Sequence, residues 1–232
     1  MAEISILTPH HRLKGYLATP KGEGPWPCVI VLHDIFGLTD VTRGHADWLA
    51  SEGYLALALD LFSWGGRIRC IRTLMADLSA HRGASFDDVD AARQWLEGHQ
   101  HSTGKTGVIG FCVTGSFAIL LAAGHGLSAA AANYGPVPND IDAILGGACP
   151  LVGSYGGRDR RLKGAAARLN GALELHQIEH DVKEYPDAGH SFLDDHKGLI
   201  GVLGVVIGAT YKEKDAADAR GRIRAFFASH LA

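Results

Sequence analysis

The chain has 232 residues and a formal net charge of -3, with 47% hydrophobic and 20% charged residues, the composition of a globular domain long enough to bury a full core. That charge balance gives no electrostatic basis for holding nucleic acid or an anionic membrane surface. The longest apolar stretch near the C-terminus, residues 199–209, is too short and too rich in glycine to span a bilayer.

In chain order, residues 3–7 and 13–18 alternate as two short strands around Thr8-Pro9-His10-His11, which predicts an antiparallel hairpin at a sheet edge. Residues 28–32, CVIVL, form a continuous apolar run of strand length, as expected for a strand covered on both faces. A helix over 41–51 follows with Asp40 as its N-cap, then a second buried strand, YLALAL, at 54–59. The segment 60–85 is polar and basic, with a weak helical pattern only at 71–78, and Ser85 caps a clear helix at 86–97. The second half repeats the rhythm. Strands at 108–109, 129–134, 150–155 and 181–185 alternate with helices after residue 112, at 162–175 and at 216–230, with another helical pattern at 199–207. Strands separated by helices in this way predict an α/β domain over 1–232, with a mostly parallel central sheet and helices on both faces. In such sheets the functional groups collect in loops at the C-terminal ends of the strands.

The organising stretch is 106–121, TGVIGFCVTGSFAILL. A β-branched pair runs into Gly110-Phe111-Cys112-Val113-Thr114-Gly115, and an apolar helix starts at once. This is a nucleophile elbow with one extra residue before its last glycine and cysteine in place of serine. Such a turn strains the backbone of its central residue and sets the side chain proud of the sheet, beside a helix N-terminus that favours a thiolate. The competing reading is a buried core cysteine.

Two further polar residues follow later strands. Asp159 comes just after PLVGSY and GGR, and His190 lies in the DAGHSF loop after the 181–185 strand. The order nucleophile, acid, histidine is the order of an α/β-hydrolase triad. Thiolate attack, proton transfer by the imidazole and orientation of that imidazole by a carboxylate need these three groups together. Taken alone, Asp159 reads equally well as a helix cap. The loop His33-Asp34-Ile35-Phe36-Gly37 follows the first central strand, where such folds take their second oxyanion donor. The backbone amides of Ile35 and Val113 are the expected pair, and Asp34 is expected to influence the thiol.

These residues resemble the dienelactone hydrolases, from VIVLHDIFG through LALDLF, GVIGFCVTG and GGRD to DAGHSF. The resemblance implies an α/β-hydrolase domain without cofactor or metal, in which Cys112, His190 and Asp159 open a lactone or ester through an acyl-enzyme. Where the family usually carries a glutamate that engages the resting thiol, this chain has Asp34. Where it carries a substrate-holding arginine four residues after the triad histidine, this chain has Asp194. With both aspartates on one rim, neutral esters and lactones are expected to be preferred over anionic ones. The competing expectation is that Arg67, Arg69 or Arg72 reaches the site and restores an anion pocket.

A thioesterase or general esterase is the alternative within enzymes. A weakly catalytic binder of small carbonyl compounds and a redox-sensing thiol protein are the alternatives outside it. The four cysteines have no paired spacing and read as reduced thiols, and no basic start with an apolar core opens the chain, so a cytoplasmic protein is expected, as a monomer or homodimer. His10-His11 and His99-Gln100-His101 lack the partners of a metal site. Gly65-Gly66-Arg67 lacks the ending of a phosphate loop but suits a lid. Trp64 reads equally as pocket lining or as packing beneath that loop. The stripe at 199, 202, 203 and 206 reads as core or dimer contact rather than lipid contact.

Overall fold

The computed structural model describes residues 1–196 and 210–232. The 199–206 stripe therefore lies outside the described residues. Eight strands form one sheet: β1 (Ala2–Leu7), β2 (Arg12–Ala18), β3 (Trp26–Leu32), β4 (Leu55–Asp60), β5 (Ser102–Phe111), β6 (Ala129–Asn133), β7 (Leu151–Gly156) and β8 (His180–Tyr185). Their order is β1-β2-β4-β3-β5-β6-β7-β8. The β1–β2 and β2–β4 pairs are antiparallel and every other pair is parallel. The N-terminal hairpin thus sits at one edge, tied to the following layer by ion pairs from His10 to Asp87 and from His11 to Asp88.

The described helices are α1 (Asp40–Ser51), α2 (Arg67–Ala80), α3 (Ala84–Glu97), α4 (Val113–Leu121), the single turn α5 (Ile141–Ile144), α6 (Ala165–Leu175) and α7 (Glu213–Leu231). In β3, Cys28–Leu32 is buried without interruption, and so is Leu55–Leu59 in β4. Successive strand side chains point to opposite faces, so helices cover both sides of the sheet centre. On α1 and α7, Arg220 lies over the Trp48 ring, and Tyr54, just after α1, meets Phe227 edge-on. On α3 and α4, Phe86 and Phe117 meet edge-on at 4.6 Å.

Several boundaries differ from the sequence expectations. Thr39 rather than Asp40 is the N-cap of α1, and Asp40 sits in the first turn, where a carboxylate still favours the helix dipole. The basic stretch forms a full helix, α2, although only Cys70 and Leu74 on it are buried. Its apolar stripe is too narrow for periodicity to reveal. Similarly, α3 starts after Gly83, with Ser85 inside it and its amide bonded to Asp77. Strand β5 extends back to Ser102 because Trp26 extends the β3 ladder to meet it.

Candidate active site

At the end of β5 the chain turns directly into α4, and Cys112 occupies the corner with φ 58° and ψ -123°. A non-glycine residue there is strained. The turn is possible because two neighbours lack a Cβ. One built on Gly110 would lie 1.9 Å from the Thr114 carbonyl oxygen, and one on Gly115 would lie 2.6 Å from that of Asn133. The Thr114 hydroxyl locks the corner from below. It accepts the Phe111 amide at 3.0 Å and lies 2.9 Å from the His33 carbonyl oxygen and 3.1 Å from that of Leu32. One side chain thereby ties the elbow to the end of β3.

The half-buried Cys112 Sγ is 3.1 Å from His190 Nε2, and His190 Nδ1 is 2.5 Å from Asp159 Oδ2. Three residues separated by up to 78 positions therefore meet on one rim. Asp159 serves both of its readings at once, because its Oδ1 accepts the Arg161 amide and caps a short 3-10 turn, leaving Oδ2 for the imidazole. Burial alone would lower the His190 pKa, but its bonds to Asp159 and Cys112 outweigh burial and raise it to about 9. Burial raises the Asp159 pKa, but the hydrogen bond and charge of His190, together with the Arg161 amide and guanidinium, outweigh it, so the carboxyl is held below its ordinary value.

Residues 33–37 form a tight loop over the same rim. Asp34 Oδ1 accepts the Phe36 amide at 2.8 Å, and its Oδ2 lies 3.0 Å from His196 Nε2, an ion pair rather than an aligned hydrogen bond. The His196 pKa is raised, chiefly by Asp34. Val113 is the first residue of α4, and Ile35 is the exposed member of the loop. Among the three basic candidates, Arg67 donates to the Ile35 carbonyl at 3.0 Å and lies over the Phe36 ring. Arg69 instead lies over Trp64, which stacks on His11. Trp64 thus packs against the hairpin.

Asp194 corrects an expectation. Rather than facing substrate on the rim, it is 4% exposed, and both its oxygens are bonded within the protein, to His45 Nε2 at 2.8 Å and to the Tyr134 hydroxyl at 2.7 Å. Tyr134, fully buried with φ 41°, also sets its ring edge-on to His190 at 5.3 Å. Asp194 therefore clamps the histidine-bearing loop to α1 and to the end of β6. Sequence reading missed this network, as well as His196, because nothing local signals which distant donor will meet a carboxylate. Asp34, Asp194 and His196 offer ligand atoms within 4.8 Å of one another. Each of the four carboxylate oxygens nevertheless already faces a proton donor, so the cluster is filled as a hydrogen-bond and ion-pair network.

A mostly parallel sheet, a strand-to-helix elbow and loops gathered at the strand ends define an α/β-hydrolase fold. The sequence profile of the dienelactone hydrolase family matches residues 13–231. A protein of Escherichia coli K12 named "Putative carboxymethylenebutenolidase" is 31% identical over 210 residues, covering 83% of this chain and 78% of its own. A Yersinia pestis protein of the same name is 28% identical and covers 98% of this chain and 88% of its own. The crystal structure titled as a putative dienelactone hydrolase from Klebsiella pneumoniae aligns with a TM-score of 0.81 at 29% identity, over 98% of this chain and 97% of that one. This chain belongs to the dienelactone hydrolase family and is a hydrolase. Among the described residues no helix is long and apolar enough to cross a membrane.

Proposed function

We propose that this protein hydrolyses a lactone or small carboxylic ester, with Cys112 as nucleophile, His190 as proton carrier and Asp159 as its orienting carboxylate. The observation that carries this reading is the continuous chain Asp159–His190–Cys112, with the cysteine strained at the elbow. The names of the relatives, which describe opening of a butenolide lactone, support the same substrate class.

The reaction starts from a thiolate facing the His190 imidazolium. Sγ attacks the carbonyl carbon, and the oxyanion takes hydrogen bonds from the Ile35 and Val113 amides. Collapse breaks the C–O bond, and His190 gives its proton to the leaving alkoxide, generating a thioester on Cys112. In a lactone the alcohol stays tethered to the acyl group, so a single hydroxy acid results. Water then attacks the thioester while His190 accepts its proton, and collapse returns the thiolate and the carboxylic acid. Asp159 fixes the tautomer and balances the imidazolium charge. Asp34 acts on the thiol indirectly, since its carboxylate shapes the oxyanion loop and its charge is balanced by His196.

A screen of lactones, short aryl esters and thioesters on wild type and Cys112→Ala tests the reading. Turnover of a lactone or ester that vanishes in the variant supports it; activity retained without the thiol rejects it, and turnover confined to thioesters favours the thioesterase alternative. A second reading concerns substrate charge. Arg67 on the Ile35 carbonyl favours an anionic lactone, and Asp194 no longer opposes one, because its charge is used inside the protein. kcat/KM for a matched neutral and anionic lactone, in wild type and Arg67→Ala, separates the two substrate classes.

A further inference from the structure

We propose that His33 is a positioning residue of the oxyanion hole, whose imidazole fixes the Asp34–Ile35 peptide so that the Ile35 amide faces the carbonyl under attack. This inference rests on the oxyanion reading above. His33 is the first residue after β3 and is fully buried. Its Nε2 accepts the Leu61 amide at 3.1 Å, so that nitrogen carries no proton. Its Nδ1 lies 2.6 Å from the Asp34 carbonyl oxygen, which only accepts, so that nitrogen must carry one. The two contacts together leave a single neutral tautomer. Burial keeps the ring neutral by lowering its pKa, against the smaller opposing effects of the Asp34 carbonyl bond and the Asp60 and Asp34 carboxylates.

The Asp34 carbonyl and the Ile35 amide belong to one planar trans peptide, in which C=O and N–H point to opposite sides. Anchoring the oxygen on a buried ring turns the amide outward, on the side where Ile35 itself is exposed. The next peptide is held at both ends as well, by Arg67 on the Ile35 carbonyl and by Asp34 Oδ1 on the Phe36 amide. Thr114 links the His33 carbonyl to the elbow that supplies the Val113 amide. The two proposed donors are thus set by one connected frame, in which His33 grips the Asp34 carbonyl at 2.6 Å and the Gly37 amide closes the turn on the same oxygen at a longer 3.3 Å.

A purely structural histidine and a positioning one differ in what they leave intact. Attack on iodoacetamide needs the thiolate but develops no carbonyl oxyanion, whereas ester hydrolysis needs both. The test therefore compares p-nitrophenyl acetate turnover with the iodoacetamide alkylation rate of Cys112 in wild type, His33→Phe and His33→Gln. Phe keeps the ring and loses the donor; Gln keeps an amide N–H and a carbonyl. Removing an oxyanion donor outright costs roughly 10²–10³-fold in kcat, and a misdirected one is expected to cost roughly 10–10²-fold, with KM within about twofold. His33→Phe should show that kcat loss with alkylation at the wild-type rate, and His33→Gln should recover most of it. If Phe does not fold, His33→Met carries the comparison with Gln at matched length and without the donor. A folded donor-free variant with wild-type kcat overturns the inference, as does alkylation that falls in step with kcat. A wild type that hydrolyses no ester or lactone overturns the hydrolysis reading itself, an outcome distinct from these.

Discussion

Tyr134→Phe isolates the clamp that holds the histidine loop. The substitution removes one hydroxyl and keeps the ring, so no larger cavity forms. What is lost is a 2.7 Å hydrogen bond to Asp194, between partners that are both buried. A hydrogen bond to a charged group contributes about 1.5–3 kcal/mol, and the carboxylate oxygen left behind is desolvated, with His196 Nε2 4.0 Å away, beyond hydrogen-bond reach. At ~2–4 °C per kcal/mol for a chain of this size, the expected drop in Tm is about 3–12 °C. Calorimetry or urea unfolding measures it, and repeating the change in an Asp194→Asn background tests whether the loss runs through that pair. A drop under about 1 °C, or the same drop in both backgrounds, would refute the clamp, given the coupling expected of direct partners. By the same reasoning, Asp194→Arg is expected to place an unpaired guanidinium in a buried site, at a cost of about 3–5 kcal/mol, and not to open an anion pocket.

Four other outcomes follow from the site. Iodoacetamide should label Cys112 first, because burial raises the Cys28 thiol pKa, lifts that of Cys149 to about 12 and hides Cys70; peptide mapping that finds another cysteine modified as fast contradicts this. Asp159→Asn should keep the fold, since the amide oxygen still caps Arg161, while its NH₂ faces His190 Nδ1 and slows turnover roughly 10²–10⁴-fold; an intact kcat counts against the triad. Because the His190 pKa is raised to about 9 from 6.5, its charge stabilises the fold fully below pH 6.5 and that contribution fades as pH rises through about 9. kcat/KM should fall over the same alkaline range as the proton for the leaving group is lost, and a profile still climbing beyond it would be inconsistent with a thiolate–imidazolium pair.

Much of this was legible in the sequence because its signals are local. The elbow is a run of six residues whose glycines are required by direct backbone approach. The strands CVIVL and LALAL are apolar throughout because both faces are covered. Order along the chain was enough to bring Cys112, Asp159 and His190 to one rim, since a parallel sheet presents successive strand ends together. The pH at which His190 titrates is not written in the sequence: an ordinary histidine titrates near 6.5, but Asp159 and Cys112 hold the His190 proton to about 9. Asp194 was misjudged for a related reason. Its partners stand 149 and 60 positions away, and an aspartate in a motif looks the same whether it faces substrate or a buried tyrosine. Helix α2 was seen only in part, because it rests on two buried side chains and shows mostly charge.

The central claim is a covalent acyl group on Cys112, and trapping that group tests it most directly. Wild type mixed with p-nitrophenyl acetate and quenched with acid in the pre-steady state is digested and mapped by mass spectrometry. The account predicts an acetyl adduct on the peptide carrying Cys112, formed in step with a burst of nitrophenol and absent from Cys112→Ala. Hydrolysis without any adduct or burst, or an adduct on another residue at equal turnover, would contradict it.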